Sequence, residues 1–194
     1  YVTGYNIFRT DIFGMVEEYK KILKKNNQEY LFYNVEMPLT EVLAWMEING
    51  IRVDIEYLKN LKRKFSDQLQ LLQNKIYKEA GEVFNINSHQ QLSKILFEKM
   101  KLPVLKKTKT GFSTDTSVLE ELSRLHPLPK LILQYRELHK LKSTYIDGLL
   151  SYVNKETGKI HPSFNQLITA TGRLSCSNPN LQNIPITVSY THLT

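Results

Sequence analysis

Residues 169–185 read TATGRLSCSNPNLQNIP and combine one arginine with several hydroxyl side chains and four side-chain amides. The stretch contains no Asp or Glu, so it is poorly suited to binding a metal or to acting as a general base. Its donors are well suited to phosphate oxygens and to the acceptors on base edges. A purely structural alternative explains the same residues, with a β-turn at Thr171-Gly172 that exposes Arg173 and an Asn-Pro loop after it.

The composition of the chain is that of a globular protein. Its 194 residues are enough for one or two domains with a substantial core, and 41% of them are hydrophobic. No apolar stretch approaches the roughly 20 residues that span a bilayer, so we expect no membrane partner. The single cysteine, Cys176, cannot form an internal disulfide, which fits a reducing cytosol.

Positive charge is concentrated in two parts of the chain. The formal net charge is +7. Residues 99–114 contain five lysines and no acid, and no Asp or Glu follows Glu156. A basic surface favours polyanions such as nucleic acid, or an anionic membrane surface. The first of these agrees with the donor-rich character of residues 169–185.

Apolar residues at helical spacing predict a mostly helical chain. Asp54 suits the start of one long helix and Gly81 suits its end. Ser88 and Gln91 predict a capping box, and Thr114 can cap a short helix. The predicted helices cover residues 12–25, 38–49, 55–80, 89–99 and 115–122, and a further long helix after residue 127. Short strand-like pieces are predicted at 159–165 and 167–174.

Other polar and aromatic residues favour structural roles. Trp45 is expected in the core, and Glu36 and Glu47 do not form a convincing acid–base pair. The five histidines are scattered without the spacing of a metal site or a nucleophilic triad. We therefore predict no catalytic residue and no metal ligand in this chain.

Residues 169–185 resemble the signature at the thumb–palm junction of family A DNA polymerases, the group that includes bacterial DNA polymerase I. The similarity covers residues 11–186 and is strongest at 106–115, 134–147 and 157–186. It implies a mainly α fold, namely a helical thumb with long antiparallel helices and a small β element at the start of the palm. The full polymerase of this family is α+β.

The resemblance implies contacts with the primer–template duplex near the junction. Donors such as Arg and Gln suit the minor groove, because every base pair offers N3 or O2 acceptors there. Sequence-independent contact of this kind is what template-directed synthesis needs. The residues that match the family pattern are Asn165, Gln166, Arg173, Asn180, Gln182 and Asn183.

Two lysine-rich segments resemble DNA-facing parts of the polymerase thumb. Residues 106–115 resemble the thumb tip, and residues 134–145 resemble its long helix, on which positions i, i+4 and i+8 share one face. The implied contacts with the DNA backbone are Lys109, Thr110, Ser113 and Thr114 at the tip, and Arg136, Lys140 and Thr144 on the helix. A solvated loop and a solvated helix face are the simpler alternatives, and Lys142 is expected to point elsewhere.

The resemblance also implies how the chain is divided. Residues 1–33 would end a 3′–5′ exonuclease-like domain, and residues 34–154 would form the thumb with its leading linker helix. Residues 155–186 would contribute the first palm strands and the contact loop. Residues 187–194 depart from the family and are expected to be a non-native tail.

The implied parent protein is a DNA-directed DNA polymerase, which extends a primer with deoxynucleoside triphosphates and Mg²⁺ during replication and repair. It would be a monomer in the bacterial cytoplasm, associated with the nucleoid. The metal-binding carboxylates of the family lie in later palm motifs, so this chain is expected to bind DNA without catalysis and without a metal. A stand-alone, non-enzymatic helical DNA-binding module is the alternative, and an inactive remnant is a third interpretation.

Overall fold

The structure, a computed structural model, describes residues 12–108 and 111–184. The chain divides into two compact units. Residues Arg52–Ile160 form the first, which we call the continuous unit. Residues Tyr1–Ile51 and His161–Thr194 belong to the second, which we call the terminal unit. Each unit is described by itself below.

Most of the described residues are helical, as predicted. The α-helices are α1 (Ile12–Lys25), α2 (Glu29–Leu31), α3 (Met37–Asn49), α4 (Ile55–Ala80), α5 (His89–Ser93), α6 (Thr116–Leu122), α7 (Pro127–Lys140) and α8 (Gly148–Ser151). Wider π-helical turns occupy Phe32–Glu36, Lys94–Lys99 and Leu141–Asp147, and a 3₁₀ turn occupies Leu181–Asn183. Among the described residues, no helix is long and apolar enough to cross a membrane.

The strands are short and pair two by two. The strands are β1 (Ile51–Arg52), β2 (Lys107–Thr108), β3 (Gly111–Phe112), β4 (Lys159–Ile160), β5 (Ser163–Asn165) and β6 (Ser175–Ser177). The pairs are β1 with β4, β2 with β3, and β5 with β6. The last two pairs are antiparallel hairpins.

The core of the continuous unit lies between α4, α6 and α7. Helices α4 and α7 pack along each other, and α6 packs on α7. On α4 the buried side chains include Phe65, Leu69 and Ile76, which lie on one face of the helix. The side chains buried most completely include Phe65, Ile76, Leu92, Leu96, Leu119, Leu122, Leu128 and Ile132. The mainly α prediction is therefore confirmed.

Both ends of α4 follow the predicted capping chemistry. Asp54 Oδ1 accepts a hydrogen bond from the Tyr57 backbone N–H at 2.8 Å, which satisfies one of the free donors of the first turn. Gly81 ends the helix in the left-handed conformation, with φ of 71°. A residue with a Cβ atom would adopt this φ only with strain.

Two capping predictions were wrong. Asp115, not Thr114, caps α6, because its carboxylate accepts a hydrogen bond from the Val118 N–H while Thr114 is buried behind it. At α5, Ser88 accepts from the Gln91 N–H as expected. The Gln91 side chain, however, accepts from the Asn85 N–H instead of closing the reciprocal half of the capping box.

The π-helical segment Leu141–Asp147 changes which residues share a helix face. Five residues, and not four, separate hydrogen-bonded positions in such a segment. This spacing brings Lys142 onto Asp147, with Nζ and Oδ2 2.9 Å apart. Of the residues predicted to share an i, i+4, i+8 face, Arg136 and Lys140 lie in α7 before this segment, and only Thr144 lies within it. Arg136 is half-buried, whereas Lys140 and Thr144 are exposed.

The terminal unit has a much smaller core. No residue of α1 is buried in the part of the chain that the structure describes, and Leu43 is the buried residue of α3. Trp45, predicted to lie in the core, is 67% exposed. That prediction was wrong because α3 carries apolar residues on every side, and only one side is covered among the described residues.

The strand predicted at residues 167–174 was also wrong. Leu167 and Ile168 are exposed in a loop, and the strand that pairs with β5 begins later, at Ser175. The chain bends at Gly172, whose φ is 71°, and the Gly172 N–H donates to the Thr169 carbonyl at 3.4 Å. The apolar residues of this segment therefore led to a strand prediction where the backbone forms a turn.

Candidate nucleic-acid interface

Arg173 lies in the loop between β5 and β6 of the terminal unit. The hairpin places Asn165 opposite Ser175, and the loop between these two residues projects from its end. The Thr169 hydroxyl donates to the Arg173 carbonyl, which closes the loop next to the arginine. The Arg173 side chain is exposed and has no hydrogen bond or ion pair with any residue of 12–108 or 111–184. Its donors are therefore available to a ligand.

The amides after β6 are held by a short turn. Asn180 Oδ1 accepts from the Gln182 N–H at 3.0 Å and so caps the 3₁₀ turn. Gln182 Nε2 donates to the Leu174 carbonyl at 2.9 Å, which ties this turn to the start of β6. The Asn183 side chain is exposed and, among the described residues, makes no hydrogen bond. Of these three amides, Asn183 is the free one.

Gln166 is committed to contacts inside the terminal unit. Its Nε2 donates to the Glu36 carbonyl oxygen at 3.0 Å and to Glu36 Oε2 at 2.6 Å. Its Oε1 accepts from the Thr40 hydroxyl at 3.1 Å. Asn165 Nδ2 lies 3.4 Å from Ser177 Oγ, across the hairpin. A DNA contact by Gln166 remains a prediction. In this structure the Gln166 side chain connects the end of β5 to Glu36 and Thr40.

Glu47 provides a second anchor that the sequence did not reveal as such. Its Oε1 accepts from the Phe164 backbone N–H at 2.6 Å, and its carbonyl oxygen lies 2.9 Å from His161 Nδ1. The Glu47 carboxylate therefore satisfies the hydrogen-bonding requirement of the Phe164 backbone N–H on β5. This contact agrees with the structural interpretation of Glu36 and Glu47. The sequence near Glu47 gave no sign of it, because Phe164 lies 117 residues away along the chain.

In the continuous unit, the lysine-rich stretch forms the hairpin of β2 and β3. Lys107 lies opposite Phe112 and Thr108 lies opposite Gly111. Both Lys107 and Thr108 are exposed. Lys109 and Thr110, predicted as DNA contacts, lie outside the described residues. The described part of the hairpin therefore presents one lysine and one hydroxyl to solvent.

Ser113 and Thr114, at the base of this hairpin, face inward. They are only 6% and 3% exposed. Ser113 Oγ accepts from the Asp115 N–H at 3.3 Å, and Thr114 Oγ1 lies 2.9 Å from His89 Nδ1. Contact of these hydroxyls with DNA stays a prediction. In this structure both are already engaged within the protein.

Arg136 also faces inward. Its two terminal nitrogens donate to the Thr114 carbonyl oxygen at 2.5 Å and to the Thr114 hydroxyl at 3.3 Å. Burial lowers the pKa of the Arg136 guanidinium from its ordinary value. By contrast, Lys140 and Thr144 are exposed, and their side chains have no hydrogen-bonding partner within the described ranges. Lys142 pairs with Asp147, in agreement with the expectation that it points elsewhere.

The acids near these groups are held in the charged form. Hydrogen bonds from the Lys106 ammonium, the Val118 N–H and two serines hold the pKa of Asp115 well below its usual range. Burial acts to raise the pKa of Asp147, but the neighbouring ammonium groups of Lys62 and Lys142 outweigh it, and the net shift is downward. These two acids neutralise lysines and are poor candidates for proton transfer at neutral pH.

Comparison with known proteins places this arrangement in a family. A profile of DNA polymerase family A matches residues 55–192 of the chain. The chain belongs to DNA polymerase family A. This match confirms the resemblance found in the sequence.

The relatives of this chain include bacterial proteins named DNA polymerase I. DNA polymerase I of Geobacillus stearothermophilus is 50% identical over 175 residues, which is 90% of this chain and 20% of that protein. The thermostable DNA polymerase I of Thermus aquaticus is 46% identical over 178 residues, which is 91% of this chain and 21% of that protein. The chain therefore spans about a fifth of the length of these relatives.

A solved family A structure shares the fold. The POL domain of Pol1 from M. smegmatis, in complex with DNA primer-template and dNTP, superposes with a TM-score of 0.78 at 41% identity. The match covers 86% of this chain and 29% of that one.

The metal ions used by family A polymerases have no fitting site among the described residues. Residues 12–108 and 111–184 contain no group of three His, Cys, Asp or Glu side chains that could hold a metal ion.

Proposed function

We propose that this chain is the duplex-gripping part of a bacterial DNA-directed DNA polymerase, which performs template-directed DNA synthesis in replication and repair. The observation that carries the proposal is Arg173, which is exposed and whose side chain has no partner among residues 12–108 and 111–184, in a family A segment without acids. Family A relatives of this chain are named DNA polymerase I, and the similar POL domain is in complex with primer-template DNA.

The chemistry of the terminal unit supports contact without sequence preference. The side-chain donors of Arg173 and Asn183 have no partner in the described part of the chain, and minor-groove edges offer an N3 or O2 acceptor at every base pair. No Asp or Glu after Glu156 opposes a polyanion. A polymerase must accept any template, so contacts of this kind suit it.

The continuous unit supports contact with the DNA backbone. Lys107 and Lys140 are exposed cations, and Thr108 and Thr144 are exposed hydroxyls. Such groups bind phosphate oxygens without reading sequence. We assign residues 34–154 to the polymerase thumb with its linker helix and 155–186 to the start of the palm. Residues 1–33 belong to an exonuclease-like domain, and 187–194 form an atypical tail.

The parent polymerase would use Mg²⁺ and deoxynucleoside triphosphates, as a monomer in the bacterial cytoplasm at the nucleoid. Two-metal phosphoryl transfer needs carboxylates that hold the ions about 4 Å apart. The described residues hold no such group. We therefore assign DNA binding to this chain and catalysis to other parts of the longer protein.

Fluorescence anisotropy with a labelled primer–template duplex tests this function. We expect sequence-independent binding whose affinity falls steeply with salt, because cations on phosphates release counterions. Arg173→Ala should weaken binding several-fold at low salt. Arg124→Ala is the matched control, since Arg124 is exposed in the continuous unit outside the proposed contacts.

Three outcomes would contradict the proposal. Equal weakening in the two arginine variants would show that only net charge matters. Absence of binding by a folded protein would reject the DNA-gripping role for the isolated chain. Primer extension by the pure chain would reject the assignment of catalysis to other parts of the protein.

A further inference from the structure

Three elements of the continuous unit meet at Thr114. Arg136 of α7 donates to both the carbonyl oxygen and the hydroxyl of Thr114, at 2.5 and 3.3 Å. His89, the first residue of α5, lies with Nδ1 2.9 Å from the same hydroxyl. Thr114 is 3% exposed, so these contacts are shielded from water. We call His89, Thr114 and Arg136 the Thr114 node.

The node is continuous with the base of the lysine-bearing hairpin. The Ser113 N–H donates to the Lys106 carbonyl at 2.9 Å, which joins the two legs of the hairpin one residue before Thr114. One residue after Thr114, Asp115 binds the Lys106 ammonium at 2.7 Å. Both chain neighbours of Thr114 therefore contact Lys106, the residue that precedes β2.

The geometry at Arg136 is not that of a free phosphate contact. Two nitrogens of its planar guanidinium are aimed at two oxygens of one residue, an arrangement that the single ammonium of a lysine cannot reproduce. The next turn of the same helix carries Lys140, which is exposed. Arg136 thus links the hairpin to the helix that presents Lys140.

We propose that the Thr114 node positions the hairpin that carries Lys107, so that this hairpin and Lys140 of α7 engage the same DNA backbone. Arg136 and Thr114 are positioning residues in this scheme and do not touch the DNA. The inference rests on the proposed DNA-binding function. It differs from the sequence expectation, which assigns both residues to direct contact.

Three substitutions separate positioning from contact. Thr114→Val removes the hydroxyl at nearly constant shape, and Thr114→Ser keeps it. Arg136→Lys keeps the charge but loses the paired donation. Thr116→Val and Arg124→Lys are matched controls, because both residues are exposed and their side chains have no hydrogen-bonding partner among residues 12–108 and 111–184.

The first measurement needs no DNA. Limited trypsin digestion reports hairpin opening, because the hairpin contains adjacent trypsin sites at Lys106 and Lys107. We expect Thr114→Val and Arg136→Lys to speed this cleavage about fivefold or more, since each removes a charge-assisted or buried hydrogen bond. Thr114→Ser and the two controls should cleave at the wild-type rate.

The second measurement is duplex affinity as a function of salt. We expect Thr114→Val and Arg136→Lys each to weaken duplex binding about fivefold to tenfold. The variant that carries both substitutions should bind only slightly more weakly than either single variant, because the two residues act as one unit. Arg136→Lys should also flatten the plot of log K against log salt by about 0.9 for each phosphate that the displaced hairpin no longer reaches, although the charge of the protein is unchanged. A general decrease in fold stability would not change this slope, and Thr114→Ser should restore wild-type binding.

Two results would overturn the inference. Wild-type affinity and slope for Arg136→Lys, together with weakened binding by Arg136→Gln, would show that Arg136 contacts phosphate directly. Unchanged digestion in both node variants would show that the node does not hold the hairpin.

If Thr114→Val fails to fold by circular dichroism, Arg136→Lys decides alone. If the folded wild-type protein binds no DNA, the proposed function fails, and digestion still decides separately whether the node holds the hairpin.

Discussion

Asp147 joins two helical segments of the continuous unit, and its replacement by Asn tests how much this junction contributes to stability. Its Oδ1 lies 2.7 Å from Lys62 Nζ on α4, and its Oδ2 lies 2.9 Å from Lys142 Nζ in the π-helical segment. The Asp147 and Lys142 side chains are 32% and 21% exposed. Asn cannot neutralise either lysine, and Lys142 would remain partly buried with its charge unpaired.

The magnitude follows from the exposure of the partners. The pair with Lys62, which is 49% exposed, should contribute well under 1 kcal/mol, as surface pairs do. The pair with Lys142 is better shielded and should contribute about 1 kcal/mol. We expect Asp147→Asn to lower the free energy of unfolding by about 1.5 kcal/mol at pH 7. With a urea slope of about 2 kcal/mol/M, the midpoint would fall by about 0.7 M.

The pH dependence gives a second, independent check. The folded state lowers the pKa of Asp147 below its ordinary value of 3.8. The unfolded chain therefore binds the proton more tightly, and the stabilisation is complete above that value and is lost as the pH falls through the folded pKa. The difference between wild type and Asp147→Asn should be full at pH 7 and should shrink below about pH 4.

Urea unfolding followed by circular dichroism, at pH 7 and at pH 2.5, measures both effects. Glu56→Gln is the control, because Glu56 lies on α4 and forms an exposed pair with Lys59. That variant should change stability by less than about 0.5 kcal/mol. Equal midpoints for wild type and Asp147→Asn at pH 7, or a difference that persists at pH 2.5, would refute the reasoning.

Three further predictions concern packing, backbone conformation and the anchor of β5. Leu119→Ala should destabilise the continuous unit by about 2–5 kcal/mol in urea unfolding, because Leu119 is fully buried, whereas Leu71→Ala, at a 62% exposed position, should change little. Gly81→Ala should lower the free energy of unfolding by about 1 kcal/mol, because an alanine is strained at the φ of 71° found here. Gly81→Asn should lower it less, since Asn tolerates this conformation, and an equal loss in the two variants would contradict the prediction. Glu47→Ala should cost about 1–3 kcal/mol because the Phe164 N–H loses its acceptor, whereas Glu47→Gln keeps an oxygen there and should cost less; hydrogen exchange at Phe164 would show the same order.

Local signals in the sequence predicted the local structure well. Asp54 and Gly81 bound α4 as expected, because capping depends on hydrogen bonds within one turn of the helix. The apolar spacing located the helices for the same reason. Family membership, too, was readable from the junction segment and is confirmed by the profile match over 55–192.

Errors arose where a neighbour outside the local segment decided the conformation. The strand predicted at 167–174 was displaced because the bend at Gly172 and the pairing with β5 set the register. Trp45 was placed in the core because its helix is apolar, although the described residues leave it exposed. The π-helical turns also carry no spacing signal that distinguishes them from α-helix in advance.

The candidate interface shows the same division. Its charge and donor composition could be read from the sequence, since acid-free stretches and lysine runs need no coordinates. The sequence could not show which of these donors are already hydrogen-bonded within the protein. Arg173 is exposed, whereas Arg136 binds Thr114, 22 residues away along the chain.

The sequence by itself determined the family, the helical class, the ends of α4 and the basic character of this protein, because each depends on nearby residues or on composition. Only the tertiary structure decided the roles of the individual polar side chains. Gln166 is satisfied by Glu36, 130 residues away, and Thr114 is enclosed by His89 and Arg136 from two other helices. A polar side chain binds whichever partner the fold brings within about 3 Å, and that partner is not encoded next to it.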